Sequence, residues 1–142
     1  MRRGFASLAS LLLLGAVACA TTTPVKPRKL VFDGGQDEAF SAVLRVVIAR
    51  ELVTDDRNRA AGAIRTAWMR GETKHRQLRY VILVRENSVT VTPKLEVCSS
   101  VTVTPTTEAS NPRCRSEHEL REHEQRNYDA LFEAIHAELE RK

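Results

Sequence analysis

The chain has little of the residues that mark several specialised protein classes. Its 142 residues include three cysteines, six glycines and five prolines. Three cysteines are too few for a small domain built on disulfides, and so few glycines and prolines exclude a collagen or a low-complexity chain. Apolar residues make up 42% and charged residues 28%, which excludes a wholly disordered chain. The length suits one small globular domain.

The chain also lacks the motifs of several enzyme classes. No serine stands in a G-x-S-x-G pattern, and neither a G-x-G-x-x-G nor a Walker sequence occurs. His118 and Glu122 are four residues apart and could share a metal ion on a helix, but a zinc site needs three or four ligands. A solvated helix face is the simpler interpretation. We therefore predict a protein that is not an enzyme, with no catalytic residues, cofactor or metal site.

The longest apolar stretch, Phe5 to Val17, follows Arg2 and Arg3 near the amino terminus. It is shorter than the roughly 20 apolar residues that span a bilayer, and its length is typical of the core of a signal peptide. Ala16 and Ala18 then lead to Cys19. An ordinary signal peptide cut after Ala18 would leave the cysteine as a free thiol.

The sequence Ala16-Val17-Ala18-Cys19 resembles the lipobox of bacterial lipoproteins. In that family the peptide is removed before the cysteine, which carries the lipid. The resemblance implies that residues 1–18 are a lipoprotein signal peptide and that Cys19 anchors the protein to a membrane. Ala20 stands where an aspartate retains such proteins in the inner membrane, so the resemblance implies the outer membrane, facing the periplasm.

Removal of the signal peptide also changes the charge of the chain. The formal charge of +4 falls to +2 when Arg2 and Arg3 are lost. The basic character thus belongs partly to the signal peptide, and we predict no nucleic-acid partner. Residues 19–29 are the lipidated cysteine and a Thr/Pro-rich tether without periodicity. Residues 30–142 form the single folded domain.

Hydrophobic spacing predicts two helices and three strands in this domain, and the short apolar run Leu30-Val31-Phe32 indicates a further, edge strand. Apolar residues recur at helical spacing from Phe40 to Ile48 and again from Tyr128 to Leu139, and an S-x-x-E capping box at Ser116 opens the second helix. Alternation predicts strands at 63–69, 77–85 and 89–97, with residues 54–62 as a polar connection. Pro93 indicates a sheet edge or a bulge.

This order predicts an α+β fold, a two-layer sandwich in which two amphipathic helices cover one face of an antiparallel sheet of about three to four strands. The predicted core lies between the helices and the sheet, and both layers contribute to it. Its residues are Phe40, Leu44, Val47, Ile64, Trp68, Tyr80, Ile82, Val89, Val91, Phe132 and Ile135.

Three features carry a second, structural resemblance. They are Ala39-Phe40 in the first helix, the polar segment 55–59, and the strand 62–68 with its Gly-hydrophobic-x-Thr-x-Trp pattern. Together they resemble helix-grip envelope lipoproteins of the BamC type. Those proteins have two such domains and this chain has room for one. The resemblance assigns no binding residues.

Cys98 and Cys114 remain once Cys19 is assigned to lipid. In an oxidising compartment we expect them to form a disulfide. A redox pair is the alternative, but the sixteen-residue separation lacks the C-x-x-C spacing of such pairs.

One face of the predicted sheet suggests a partner surface. Strand alternation places Arg65, Arg79, Val81, Leu83 and Arg85 opposite the helices, and apolar residues rimmed by arginine are typical of interfaces. A partly covered face with scattered apolar residues is the alternative interpretation.

These features favour a non-enzymatic envelope lipoprotein that acts as a protein-interaction or assembly module, anchored to the membrane and bound to an envelope protein complex. The alternative is a carrier or sensor of a lipid or other amphiphile between helices and sheet. A carrier requires an apolar cavity of several hundred cubic ångströms there.

Overall fold

The computed structural model describes residues 21–99 and 113–141. The predicted signal peptide and Cys19 lie outside the described residues. The described chain forms two helices, α1 (Gln36–Ala49) and α2 (Glu122–Leu139). Its strands are β1 (Thr22–Pro24), β2 (Arg28–Val31), β3 (Thr54–Asn58), β4 (Ala63–Thr66), β5 (Met69–Arg70), β6 (Arg76–Arg85), β7 (Ser88–Cys98), β8 (Cys114–Glu117) and β9 (Glu119–Arg121).

The main sheet runs in the order β2-β7-β6-β4-β3, with β5 beside β6 and β8 beside β7. All of its pairings are antiparallel, and β1 and β9 form a separate antiparallel pair. The α+β class and the mainly antiparallel sheet are therefore confirmed. The prediction of three to four strands is wrong, because the sheet has seven.

One hydrophobic core joins both helices to one face of the sheet. Along β6 every second side chain is buried, and these residues pack with the apolar faces of α1 and α2. Nine of the eleven predicted core residues are buried. Leu44 is only partly buried but packs against the core, and Trp68 lies elsewhere, as described below.

The strands missing from the prediction are short and polar. β3 was expected to be a connection, yet it pairs with β4 at an edge of the sheet, where its side chains are almost all exposed. Charged residues suit an unprotected edge, because they discourage pairing with another chain. Backbone hydrogen bonds and polar side chains hold such a strand, so no hydrophobic alternation reveals it.

The predicted tether also takes part in the fold, which corrects the expectation of an irregular linker over 19–29. Its residues Thr22–Pro24 form β1 and pair with β9. Arg28 in β2 forms an ion pair with Asp129 of α2 at 2.9 Å and lies 3.7 Å from the ring centre of Phe132. The domain therefore begins several residues before the predicted boundary at residue 30.

Helix α2 begins later than its predicted capping box. Ser116 lies in β8 and Glu119 in β9, and the helix starts at Glu122. Leu120 in β9 is fully buried, and its side chain joins the core ahead of the helix. The segment is therefore held to the fold as a strand before α2 begins. His118 consequently lies between two strands and does not share a helix face with Glu122.

Pro93 occupies the middle of β7, which is not an edge strand. Its partner across the β6–β7 pairing is Tyr80, whose N–H donates to Thr66 Oγ1 at 2.9 Å on the side of β4. The nitrogen of Pro93 therefore points away from β6. β2 pairs with β7 only as far as Val91 and β8 only from Leu95, so the missing N–H lies where neither strand needs it.

The disulfide between Cys98 and Cys114 is present, and these residues are register partners at the end of the β7–β8 pairing.

We expect both cysteines of this disulfide to resist alkylation in the native protein. The double variant Cys98→Ser/Cys114→Ser should lower the free energy of unfolding by about 3 kcal/mol, because closing a loop of this size restricts the unfolded chain. Labelling of the native thiols, or unchanged denaturant stability of the variant, would contradict this.

Within the described ranges, neither helix is long and apolar enough to cross a membrane.

Candidate functional site

A one-residue shift in strand pairing decides where Trp68 lies. Arg65 of β4 pairs with Val81 of β6, whereas Met69 of β5 pairs with Leu78. The segment between the two pairs therefore holds one residue more than the facing part of β6. Side chains alternate between the faces of a sheet, and an extra residue reverses the alternation beyond it.

Met69 consequently packs against the core, and Trp68 lies on the opposite face of the sheet, which we call the outer face. The guanidinium of Arg79 lies 4.3 Å from the centre of the Trp68 ring. The prediction that Trp68 belongs to the core is wrong for this reason. Strand alternation read from the sequence assumed a continuous strand through residues 63–69.

The structure places the five residues of the predicted partner surface on this outer face, but it does not bring all of them together. Arg65, Arg79 and Val81 line a groove of about 540 Å³ with Trp68, which we call the Trp68 groove. Its other walls come from three places on the chain: Val25 and Pro27, the middle of β7, and residues 116–118. Leu83 and Arg85 lie outside this lining, nearer the β6–β7 turn.

The cations of the groove differ in what they contact. Arg65 Nε lies 3.2 Å from a carboxylate oxygen of Asp55, and both side chains are about half exposed. Arg79 stacks on Trp68, and its Nε is buried without a hydrogen-bond partner within the described chain. Lys94 stands opposite Arg79 in the β6–β7 pairing and is exposed. Arg65 Nε is likewise buried without a well-formed hydrogen bond, so an incoming acceptor has to reach the terminal nitrogens of the two guanidinium groups.

The described residues offer little to a metal ion. Glu96, Cys98 and Cys114 have ligand-type atoms close together. The two sulfurs are joined in the disulfide, so neither is available as a thiolate ligand. The remaining carboxylate cannot by itself make the three or four contacts of a zinc site.

Arg76 and Glu124 form a buried ion pair that no local sequence pattern indicates. Arg76 donates to both carboxylate oxygens of Glu124, at 2.8 and 2.7 Å, and both side chains are almost fully buried. Glu124 also accepts hydrogen bonds from the backbone N–H groups of Glu72 and Arg121. Glu124 is buried although its neighbours at the start of α2 are mostly charged and exposed.

The pKa values of the pair follow from these contacts. Burial alone raises the pKa of Glu124, but hydrogen bonds from the Arg76 side chain and the backbone N–H groups outweigh it and hold that pKa below its usual value. The hydrogen bond to Glu124 likewise raises the pKa of Arg76. The pair joins the start of β6 to the first turn of α2, so we assign it a structural role.

Comparison of the chain with protein-family models and with curated proteins found no match in either case.

Proposed function

We propose that this protein is a lipid-anchored, non-enzymatic lipoprotein of the bacterial envelope that binds a protein partner through the outer face of its sheet. The Trp68 groove carries this proposal. An aromatic ring, an aliphatic side chain and arginines lie side by side there, and tryptophan and arginine are the residues most enriched at the energetic centres of interfaces.

The groove is lined by three basic residues and by two acidic ones, Glu96 and Glu117. Its basic part favours an acidic protein segment as the occupant. Arg79 and Lys94 are neighbours across β6 and β7, and neither forms an ion pair within the described residues. A carboxylate could accept from the terminal nitrogens of the Arg79 guanidinium, and an adjacent apolar side chain could pack on Val81 and Trp68. Arginine suits this role because its planar guanidinium makes several oriented hydrogen bonds.

Fluorescence gives a direct test, because Trp68 is the only tryptophan of the chain. We expect a short peptide in which glutamate alternates with leucine to shift the Trp68 emission saturably. The same peptide with lysine in place of glutamate should have no effect. Arg79→Gln should weaken binding about tenfold, since hydrogen bonds to charged groups contribute about 1.5–3 kcal/mol. Arg57→Gln is the matched control, because Arg57 is exposed on β3 and lies outside the groove.

Two outcomes would contradict the proposal. Equal responses to the acidic and basic peptides would show that charge does not select the occupant. Phosphatidylglycerol vesicles that shift the emission when the acidic peptide does not would assign the surface to lipid head groups.

The double variant Val81→Asp/Leu83→Asp should keep the circular dichroism spectrum of the wild type and lose peptide binding. If it unfolds instead, the outer face is part of the core.

The position of β1 supports a domain held close to the membrane. Only Ala20 and Thr21 separate Cys19 from Thr22, the first residue of β1. Three residue steps reach at most about 11 Å. With a lipid on Cys19, the domain would therefore rest near the head groups, whereas an unpaired tether through residue 29 would have let it stand about 33 Å away. The outer membrane remains the proposed location.

The anchor is tested by Cys19→Ser. We expect this variant to accumulate as an uncleaved precursor that takes up no palmitate analogue in metabolic labelling, while the wild type is labelled and sediments with membranes. Cys98→Ser is the control, because it removes a cysteine without touching the lipobox. Equal labelling of wild type and Cys19→Ser would overturn the proposal of a lipid anchor.

The carrier alternative receives less support for a long-chain lipid. An open groove of about 500 Å³ lies between the end of β2 and the end of α2, and Asp33, His136 and Glu140 share its lining with apolar residues. A pocket of about 250 Å³ between the helices and β6 has room for a short chain but not for long acyl chains.

A further inference from the structure

A second site lies on the opposite side of the sheet from the Trp68 groove. Between the carboxyl end of α1, the middle of α2 and the strands β5 and β6 is a pocket of about 250 Å³. Its apolar lining comes from Leu52, Met69, Leu78 and Leu131, and its polar lining from Arg50, Arg70, Tyr80 and Asn127. We call it the Tyr80 pocket.

Tyr80 is the unusual residue of this pocket. Its side chain is 2% exposed, its hydroxyl makes no hydrogen bond within the described chain, and the hydroxyl oxygen keeps some accessible surface where the residue lines the pocket. Tyr128, which stacks with it at 6.1 Å, donates to the backbone oxygens of both Val91 and Lys26. Buried tyrosine hydroxyls are normally paired. Burial raises the pKa of Tyr80, so its hydroxyl stays protonated and remains a donor at neutral pH.

The charges around the pocket are of one sign. Arg50 and Arg70 both line it, both are exposed, and neither forms an ion pair within the described residues. Arg50 is close enough to Tyr80 to favour a negative charge at the hydroxyl. The amide of Asn127 adds a further polar group, and the pocket lining contains no carboxylate.

We propose that the Tyr80 pocket binds a small organic anion with a carboxylate head and an apolar body. Tyr80 would donate a hydrogen bond to the carboxylate, Arg50 and Arg70 would balance its charge, and the leucines and Met69 would cover the apolar part. The pocket lies just below the usual range of roughly 300–1,000 Å³ for ligand sites, which suits a single short chain or one ring. This site is independent of the partner surface on the outer face.

Octanoate is a suitable probe, with 1-octanol as the neutral counterpart of the same chain length. We expect octanoate to bind saturably in the millimolar range or below, followed by chemical shift changes at Met69 and Leu78 in NMR spectra. Octanol should bind at least tenfold more weakly, because it cannot pair with the arginines. Added salt should weaken octanoate binding and leave octanol binding unchanged.

Variants identify the groups that bind the anion. Tyr80→Phe keeps the ring and should weaken octanoate binding about tenfold. Arg50→Gln/Arg70→Gln should have a similar or larger effect, and both arginines are exposed, so this variant should fold normally even where Tyr80→Phe does not. Arg57→Gln, outside the pocket, should bind like the wild type.

Three results would overturn the proposal. They are the absence of saturable octanoate binding, equal affinity for octanoate and octanol, and unchanged affinity in Arg50→Gln/Arg70→Gln. None of them would bear on the Trp68 groove, whose peptide test reports from the other face.

Discussion

Glu124→Ala is expected to lower the free energy of unfolding by about 3–5 kcal/mol. The substitution leaves Arg76 charged and buried without its partner, and removing one member of a buried pair costs about this much. It also leaves the N–H groups of Glu72 and Arg121 without their acceptor. Urea unfolding followed by circular dichroism measures the change.

Glu122→Ala is the matched control, because Glu122 is exposed in the same helix turn and its one ion pair among the described residues is with Arg126, at 3.6 Å. Its effect should stay within about 0.5 kcal/mol. The double variant Arg76→Met/Glu124→Leu should recover the part of the loss that comes from the unpaired charge, since apolar replacement of both partners leaves no buried charge. Equal stability of Glu124→Ala and Glu122→Ala would show that the pair is not what holds α2 to the sheet.

The same pair predicts the pH dependence of stability. The pKa of Glu124 is lower in the folded than in the unfolded protein. Its contribution is therefore complete above the unfolded pKa near 4.5 and is lost as the pH falls through the folded value. We expect the acid loss of stability to be smaller in Arg76→Met/Glu124→Leu than in the wild type. An identical acid profile would exclude Glu124 as a source of it.

Phe40→Ala is expected to cost about 3–5 kcal/mol, the usual price of removing a buried phenylalanine side chain. Phe40 is 2% exposed in the core beneath α1, and the guanidinium of Arg59 lies 4.8 Å from its ring centre. Thermal unfolding at several denaturant concentrations gives the value. Ile48→Ala on the same helix serves as control, because Ile48 is 61% exposed and should change stability little. Similar losses in both variants would mean that the wrong helix face has been assigned to the core.

Helices and long strands could be predicted because their side chains carry a period. Phe40 and Val47 repeat at helical spacing, and Tyr80 and Ile82 alternate, because both patterns reflect burial on one face. β1 and β3 carry no such signal, since their side chains are exposed and their stability comes from backbone pairing. A local pattern cannot show which distant segment supplies the pairing partner.

The Trp68 groove and the buried Arg76–Glu124 pair differ in how far the sequence could indicate them. Arg65, Arg79 and Val81 were predicted to share a face, because alternation within a continuous strand is sufficient for that. Trp68 was misplaced because the extra residue opposite β6 appears only when the strands are paired. Glu124 looked like its charged neighbours, and its burial depends on Arg76, which is 48 residues away.

Cross-linking from the outer face tests the central proposal most directly. A photoreactive amino acid in place of Val81, expressed in the intact envelope, should form one discrete adduct with a protein. The same group in place of Arg126, exposed on α2, should not form it, and Arg65→Gln/Arg79→Gln should abolish it. Equal adducts from both positions, or none from position 81, would contradict a partner surface on the outer face of the sheet.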